Sequence, residues 1–203
     1  MDVGARVRDR GAALLCAALL LTGGPALAHD GTGLIGGFLS GFAHPLTGYD
    51  HLLAMVAVGL WGAFLGRPLV VVLPVVFPTV MALGALLGMR GVPLPPVELG
   101  VAMSVLVLGG LIAAAVRAPI WAACLIVGVF AIFHGYAHGQ ELPSAADPVG
   151  YSVGFVSATG LLHVAGIGLG LLHARRGGRM LTRMIGGLIA AAGLYFLYTA
   201  ATA

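Results

Sequence analysis

Residues 69–89 read LVVVLPVVFPTVMALGALLGM, an apolar run with no charged side chain, between Arg67-Pro68 and Arg90. Its length matches the roughly 20 residues with which a helix crosses the hydrocarbon core of a bilayer. The whole sequence is 60% hydrophobic and only 8% charged, as is typical of integral membrane proteins. Similar apolar runs, separated by short segments rich in Arg, Pro and Gly, occupy residues 44–65, 97–116, 119–140, 150–173 and 181–200. The sequence therefore predicts an all-α, polytopic bundle of six transmembrane helices.

The first 28 residues form a separate unit. A basic stretch, MDVGARVRDR, is followed by a short apolar run and by Ala26-Leu27-Ala28, which has the A-x-A form of a signal peptidase site. This pattern predicts a cleavable signal peptide at 1–28 and a mature domain at 29–203, with His29 as its first residue. His29 could then chelate a metal through its amine and imidazole. The alternative is an uncleaved first helix.

The arginines are distributed unevenly between the loops. If the mature N-terminus lies outside the cytoplasm, the outer loops carry only Arg90 and the inner loops carry Arg67, Arg117, Arg175, Arg176, Arg179 and Arg183. Cytoplasmic loops normally hold the excess of basic residues, so this topology is favoured. The clusters indicate membrane topology rather than nucleic-acid binding. The sequence therefore predicts a lipid bilayer as a partner and no binding to nucleic acid. Whether the chain forms a homo-oligomer is left open.

One polar motif lies inside the first span. In HPLTGYDHLLAM, residues 44–55, a continuous helix would place His44, His51 and Met55 on one stripe, with Asp50 about 100° away. Pro45 and Gly48 are residues at which that helix could open. Ionisable groups are costly inside a membrane and normally face a cavity or one another. The motif therefore predicts a polar functional site.

A second polar motif ends the fourth span. In FHGYAHGQELP, residues 133–143, His134, His138 and Glu141 stand at helical spacing. At 1.5 Å per residue both motifs come to lie about 9 Å below the outer boundary, so they can meet in the outer half of the membrane. Imidazoles with carboxylates favour a divalent transition metal. Cys124 is the only thiol of the predicted mature chain, which excludes a thiolate cluster within one chain.

Two further residues are candidates with open alternatives. His163, in TGLLHVAG of the fifth span, is either an inner ligand or a donor to a backbone carbonyl across a helix interface. Met55 is either a soft metal ligand or a packing residue.

Three functions fit a site of this kind. The first is uptake of a metal ion; the chain has no lysine and hence no Walker motif, so energy would come from an ion gradient, a coupled proton or a partner. The second is an intramembrane zinc hydrolase with Asp50 or Glu141 as general base. The third, a b-type cytochrome, is disfavoured because closely packed glycine-rich helices leave little room for a porphyrin.

The motif HPLTGYDHLLAM resembles the H-P-x-x-G-x-D-H-x-x-x-M signature of the HupE/UreJ family of hydrogenase and urease accessory permeases, and FHGYAHGQELP and TGLLHVAG are similar to that family's later motifs. The resemblance implies a bacterial inner-membrane secondary permease, not an enzyme, with a periplasmic mature N-terminus. The resemblance favours Ni²⁺ as the substrate, although some members of the family are associated with Co²⁺ instead, and it implies no prosthetic group. The family's site residues would be His44, Asp50 and His51, with Met55 in the motif, and the second-motif counterparts His134, His138 and Glu141.

Overall fold

A computed structural model of the chain describes residues 33–94, 96–142, 147–174 and 177–202. All the regular structure in these ranges is helical. The predicted signal peptide and His29 lie outside the described residues, as do Arg175 and Arg176. Seven α-helices and a short 3₁₀ helix at Leu172–Ala174 follow one another: α1 Leu34–Thr47, α2 Tyr49–Leu65, α3 Leu69–Met89, α4 Val97–Ala113, α5 Ile120–Glu141, α6 Pro148–Leu171 and α7 Gly178–Thr202.

The helices have the lengths of a multi-pass membrane protein. Four of them, α3, α5, α6 and α7, are long and apolar enough to cross a bilayer, and α1 with α2 forms a fifth, bent candidate. The helix α4 is apolar but has 17 residues, at the lower limit for a crossing. The all-α bundle predicted from sequence is confirmed, and its six apolar segments agree with these helices.

The first span is not a continuous helix. The helices α1 and α2 meet at an angle of 82°. The break lies at Gly48, whose extended backbone (φ −83°, ψ 100°) ends α1, whereas Pro45 lies inside α1. Gly stabilises a helix poorly, so it is a favourable place for this interruption. Of the two alternatives, a continuous helix with His44 and His51 on one stripe is therefore not formed, and the helix opens at Gly48. His44 lies in the last turn of α1, and His51 lies in the first turn of α2.

The third span also ends earlier than predicted. The sequence suggested 97–116, but α4 stops at Ala113. Ala115 adopts a left-handed conformation (φ 56°), and the N–H of Val116 donates to the carbonyl of Leu111 at 2.9 Å. This hydrogen bond closes the helix end and turns the chain toward α5. Because residue 115 is an alanine rather than a glycine, this turn could not be recognised from the sequence.

Glycines allow the helices to pack backbone to backbone. A Cβ atom at Gly135 or Gly139 of α5 would overlap the carbonyl oxygen of Met81 or Ala85 in α3. Similar contacts join α6 to α1 and α2, and α4 to α7: these involve Gly150, Gly154, Gly166, Gly109, Gly186 and Gly193. Such backbone contacts are typical of membrane helices that carry small residues at their interfaces.

The direction of the helices places the four acidic residues of the described ranges at one end of the bundle and a group of three arginines at the other end. The carboxylate end, defined by Asp50, Glu98, Glu141 and Asp147, contains the N-terminal ends of α2, α4 and α6 and the C-terminal end of α5. The arginine end, defined by Arg117, Arg179 and Arg183, contains the C-terminal ends of α2, α4 and α6 and the N-terminal end of α7. The two histidine motifs thus fall at the carboxylate end.

Candidate metal centre

The break at Gly48 brings α1 against the end of α5. His44 Nε2 lies 3.1 Å from Glu141 Oε2, and the same oxygen lies 3.4 Å from His138 Nδ1. Ligand atoms of His44, His138 and Glu141 all lie within 4.8 Å of one another. Among the described residues this is the most compact set of metal-ligating side chains. The Glu141 side chain is 52% exposed, so the set is accessible. We call it the outer set.

His138 joins the outer set to a buried group of rings. Its own side chain is only 6% exposed. The ring centroid lies 5.0 Å from that of His44 and 4.6 Å from that of His51. While Nδ1 faces Glu141, Nε2 is buried and has no hydrogen-bond partner. That nitrogen is free to act as a ligand.

Asp50 holds His51 from the first turn of α2. Its Oδ1 accepts hydrogen bonds from the backbone N–H of His51 at 2.7 Å and from the ring at Nδ1 at 2.8 Å. The carboxylate thereby places the ring proton on Nδ1 and leaves a lone pair on Nε2. This nitrogen is also buried without a partner. A carboxylate that orients an imidazole in this way is typical of histidines that bind metals.

His134 is held in a similar way by a serine on another helix. The Ser104 hydroxyl donates to the carbonyl of Val101 at 2.6 Å, so its oxygen accepts from His134 Nε2 at 2.9 Å. This network assigns the ring proton of His134 to Nε2. The other nitrogen, Nδ1, is buried and has no partner. The His134 centroid lies 4.7 Å from that of His51.

Three imidazoles therefore share one arrangement. One ring nitrogen is hydrogen-bonded to an oxygen atom, and the second ring nitrogen has no partner and can bind a metal ion. We call them the inner set; it consists of His51, His134 and His138. Nitrogen and oxygen donors without thiolate suit nickel, cobalt or zinc.

Comparison with known proteins agrees with the two motifs. A sequence model of the family described as HupE / UreJ protein matches residues 17–196. The chain belongs to this family. It is 46% identical over 174 residues to Protein HupE of Rhizobium leguminosarum bv. viciae, which covers 85% of this chain and 91% of that protein. No solved structure matches the chain. The family resemblance of the motifs is thus confirmed.

Two of the candidate residues lie apart from both sets in this HupE/UreJ family member. Met55 is fully buried in the hydrophobic core. His163 is 2% exposed and is separated from His134 by Phe77, whose ring centroid lies 5.4 Å from that of His134 and 5.5 Å from that of His163. The structure therefore brings together His44, Asp50, His51, His134, His138 and Glu141.

Two polar residues near the site were missed in the sequence. Ser104 supports His134, but a serine within an apolar helix gives no signal of its own. Glu98 lines a cavity of about 250 Å³ together with Asp50 and the end of α7. As a carboxylate in the first turn of α4, Glu98 could have been recognised by the rule that selected Asp50: a charged residue at the edge of an apolar span.

Proposed function

We propose that this HupE/UreJ family protein is a secondary permease that takes up a divalent transition-metal ion, Ni²⁺ or Co²⁺, through the outer and inner sets. One observation carries the proposal: three neighbouring imidazoles each keep one buried nitrogen without a hydrogen-bond partner, inside a multi-pass helical bundle. Buried polar atoms without partners are rare and costly, which argues for a ligand that satisfies them.

The arrangement suits an ion that has to be released again. His138 contacts His44 on one side and His51 on the other, so it can pass an ion from the exposed outer set to the buried inner set by exchange of ligands. Imidazole and carboxylate bind these ions without the strength of a thiolate cluster, and a permeating ion must bind weakly enough to leave.

The ion's next position inward is His163, in our proposal. The Nε2 of His163 and the hydroxyl of Thr159, one turn earlier on α6, are both buried without partners. The ring of Phe77 lies against both His134 of the inner set and His163. Met55 is assigned to packing.

The orientation proposed follows the arginines. The carboxylate end faces the periplasm and the arginine end faces the cytoplasm of a bacterial inner membrane, with the mature N-terminus periplasmic after cleavage at 1–28. In this orientation the accessible outer set receives the ion first. The chain itself has no Walker motif, so the ion's gradient, a coupled proton or a partner supplies the energy.

Hydrolysis by a zinc ion at the same site is the competing function. It needs a carboxylate that is free to act as a base, whereas Asp50 and Glu141 both orient imidazoles. This use of both acids favours transport.

Uptake of radiolabelled nickel and cobalt by bacterial cells that express the protein tests the proposal. His138→Ala removes the ring common to both sets and is expected to abolish uptake at an unchanged protein level. Tyr198→Ala removes an exposed aromatic ring of α7 and serves as the matched control. Uptake that persists in His138→Ala would overturn the proposal.

A further inference from the structure

The arginine end contains a second polar cavity, far along the helices from the histidines. It has a volume of about 230 Å³. Among the described residues, three guanidinium groups line it and no carboxylate does. Its lining residues are Phe64, Ala115, Arg117, His173, Arg179 and Arg183.

Contacts other than ion pairs hold two of the three arginines, and His173, in place. Arg183 donates from Nε to the carbonyl of Ala113 at 2.8 Å. The guanidinium of Arg117 lies over the ring of Phe64, 5.7 Å from its centroid, and the His173 ring packs edge-on to the same ring at 4.9 Å. The buried Nδ1 of His173 has no hydrogen-bond partner. The side chains are thus positioned while most of their N–H donors stay available.

The positive charge of this cavity is not neutralised within the described residues. None of the three arginines forms an ion pair there. From residue 33 onward the sequence has only four acidic residues, and all four define the opposite end. Like charges brought together repel one another, and an anion relieves that repulsion.

We propose that this cavity binds a phosphate group, either as the headgroup of an anionic phospholipid or as a free anion. Guanidinium groups match phosphate oxygens because their planar N–H donors can bind two oxygens at once. Basic pockets between transmembrane helices are also suited to lipid headgroups. The inference is independent of metal transport, because it uses no residue of the outer or inner set.

The test is a binding measurement on the purified full chain in detergent. Short-chain phosphatidylglycerol, short-chain phosphatidylcholine and inorganic phosphate are titrated separately, and binding is followed by native mass spectrometry and by the shift in melting temperature. The variants are Arg179→Gln, whose side chain is exposed and forms no ion pair within the described part of the chain, and Arg117→Gln. Arg67→Gln, at an exposed arginine of the α2–α3 connection, is the matched control.

Phosphatidylglycerol is expected to bind more tightly than phosphatidylcholine, and Arg179→Gln and Arg117→Gln should each weaken that binding by about tenfold, as expected for a lost charge-assisted hydrogen bond. Arg67→Gln should bind as the wild type does. If inorganic phosphate binds with the same dependence on Arg179 and phosphatidylglycerol does not, the ligand is the free anion. Binding unchanged in both variants, or weakened equally by Arg67→Gln, would overturn the proposal.

Discussion

At the scale of single residues, Asp50 and Ser104 determine which nitrogen of a neighbouring ring can bind a metal. Asp50 accepts from Nδ1 of His51, and Ser104 accepts from Nε2 of His134. Groups that orient a ligand in this way are typically important for affinity although they do not touch the ion. The sequence suggested Asp50 as a ligand; because of its hydrogen bonds with His51 we propose that it acts as a positioning residue.

Asp50→Asn should weaken metal binding without removing a ligand. We expect the affinity of purified protein for Ni²⁺ to fall by about 10-fold to 100-fold, because the ring of His51 loses its carboxylate acceptor. Isothermal titration calorimetry measures this change. Asp147→Asn alters a carboxylate of the same end that caps α6, through its contact with the backbone N–H of Gly150, and should leave the affinity unchanged. Equal affinities for wild type and Asp50→Asn would contradict the role assigned to Asp50.

Metal binding should also depend on pH. The free nitrogens of the inner set can accept a proton instead of a metal, so protonation competes with binding. Affinity for Ni²⁺ is therefore expected to fall as the pH is lowered from about 8 through and below the range in which imidazoles ordinarily titrate. Titrations at stepped pH values check this expectation. An affinity that stays constant over this range would argue against histidine ligation.

At the scale of the helices, the glycines of α5 set how closely the histidine motif approaches α3. Gly135 and Gly139 contact backbone atoms of α3 directly, next to His134 and His138. A methyl group between two backbones cannot be accommodated by a side-chain rotation. The helices would have to separate, and the histidines would move with them.

Gly135→Ala should therefore destabilise the protein, by about 1–3 kcal/mol, the usual cost of overpacking. Gly128→Ala offers a matched control on the same helix. A Cβ atom added at Gly128 would have a methyl group of Val80, at 4.0 Å, as its nearest neighbour. That substitution should preserve stability or increase it slightly, since Ala favours a helix over Gly. Thermal unfolding in detergent compares the two variants. Equal melting temperatures would show that the close backbone contact at Gly135 does not contribute to the stability of the protein.

The sequence predicted the helices better than their junctions. Hydrophobicity and length were enough to locate 69–89, which coincides with α3, because a long apolar run has few alternatives in a bilayer. The 82° bend at Gly48 was only one of two possibilities, since Pro45 was an equally plausible breaking point. The end of α4 was misplaced because Ala115 takes a conformation usually adopted by glycine.

The site was predictable for a different reason. Charged and imidazole side chains are rare in this chain, so most of those inside an apolar run stood out. The structure brings together six of the eight predicted site residues, all except Met55 and His163. Their mutual contacts could not be predicted, because the sequence does not say which helices are neighbours. The partners of His134 in particular depend on the packing of α4 against α5.

At the scale of the whole molecule, the candidate residues form a series from the carboxylate end toward the interior. The outer set is accessible, the inner set is buried, and His163 lies beyond Phe77. Binding and transport should therefore be separable. A residue used only after the first binding step affects movement of the ion but not its capture.

His163→Ala should retain equilibrium binding of Ni²⁺ at the inner set while transport into proteoliposomes is reduced at least tenfold, because the next position inward lacks its imidazole nitrogen. Thr159→Val, which removes the neighbouring hydroxyl and preserves the side-chain volume, should reduce transport less. Binding by calorimetry and flux of radiolabelled nickel are measured on the same preparations. Full transport by His163→Ala would remove His163 from the pathway.

The most direct measurement of whether the histidines hold the ion is X-ray absorption at the nickel edge of the loaded, purified protein. The structure predicts nitrogen and oxygen donors, with the scattering pattern of imidazole rings, and a weaker imidazole contribution in His138→Ala. A nickel shell that contains sulfur, or a spectrum identical in the wild type and His138→Ala, would contradict binding at the outer and inner sets.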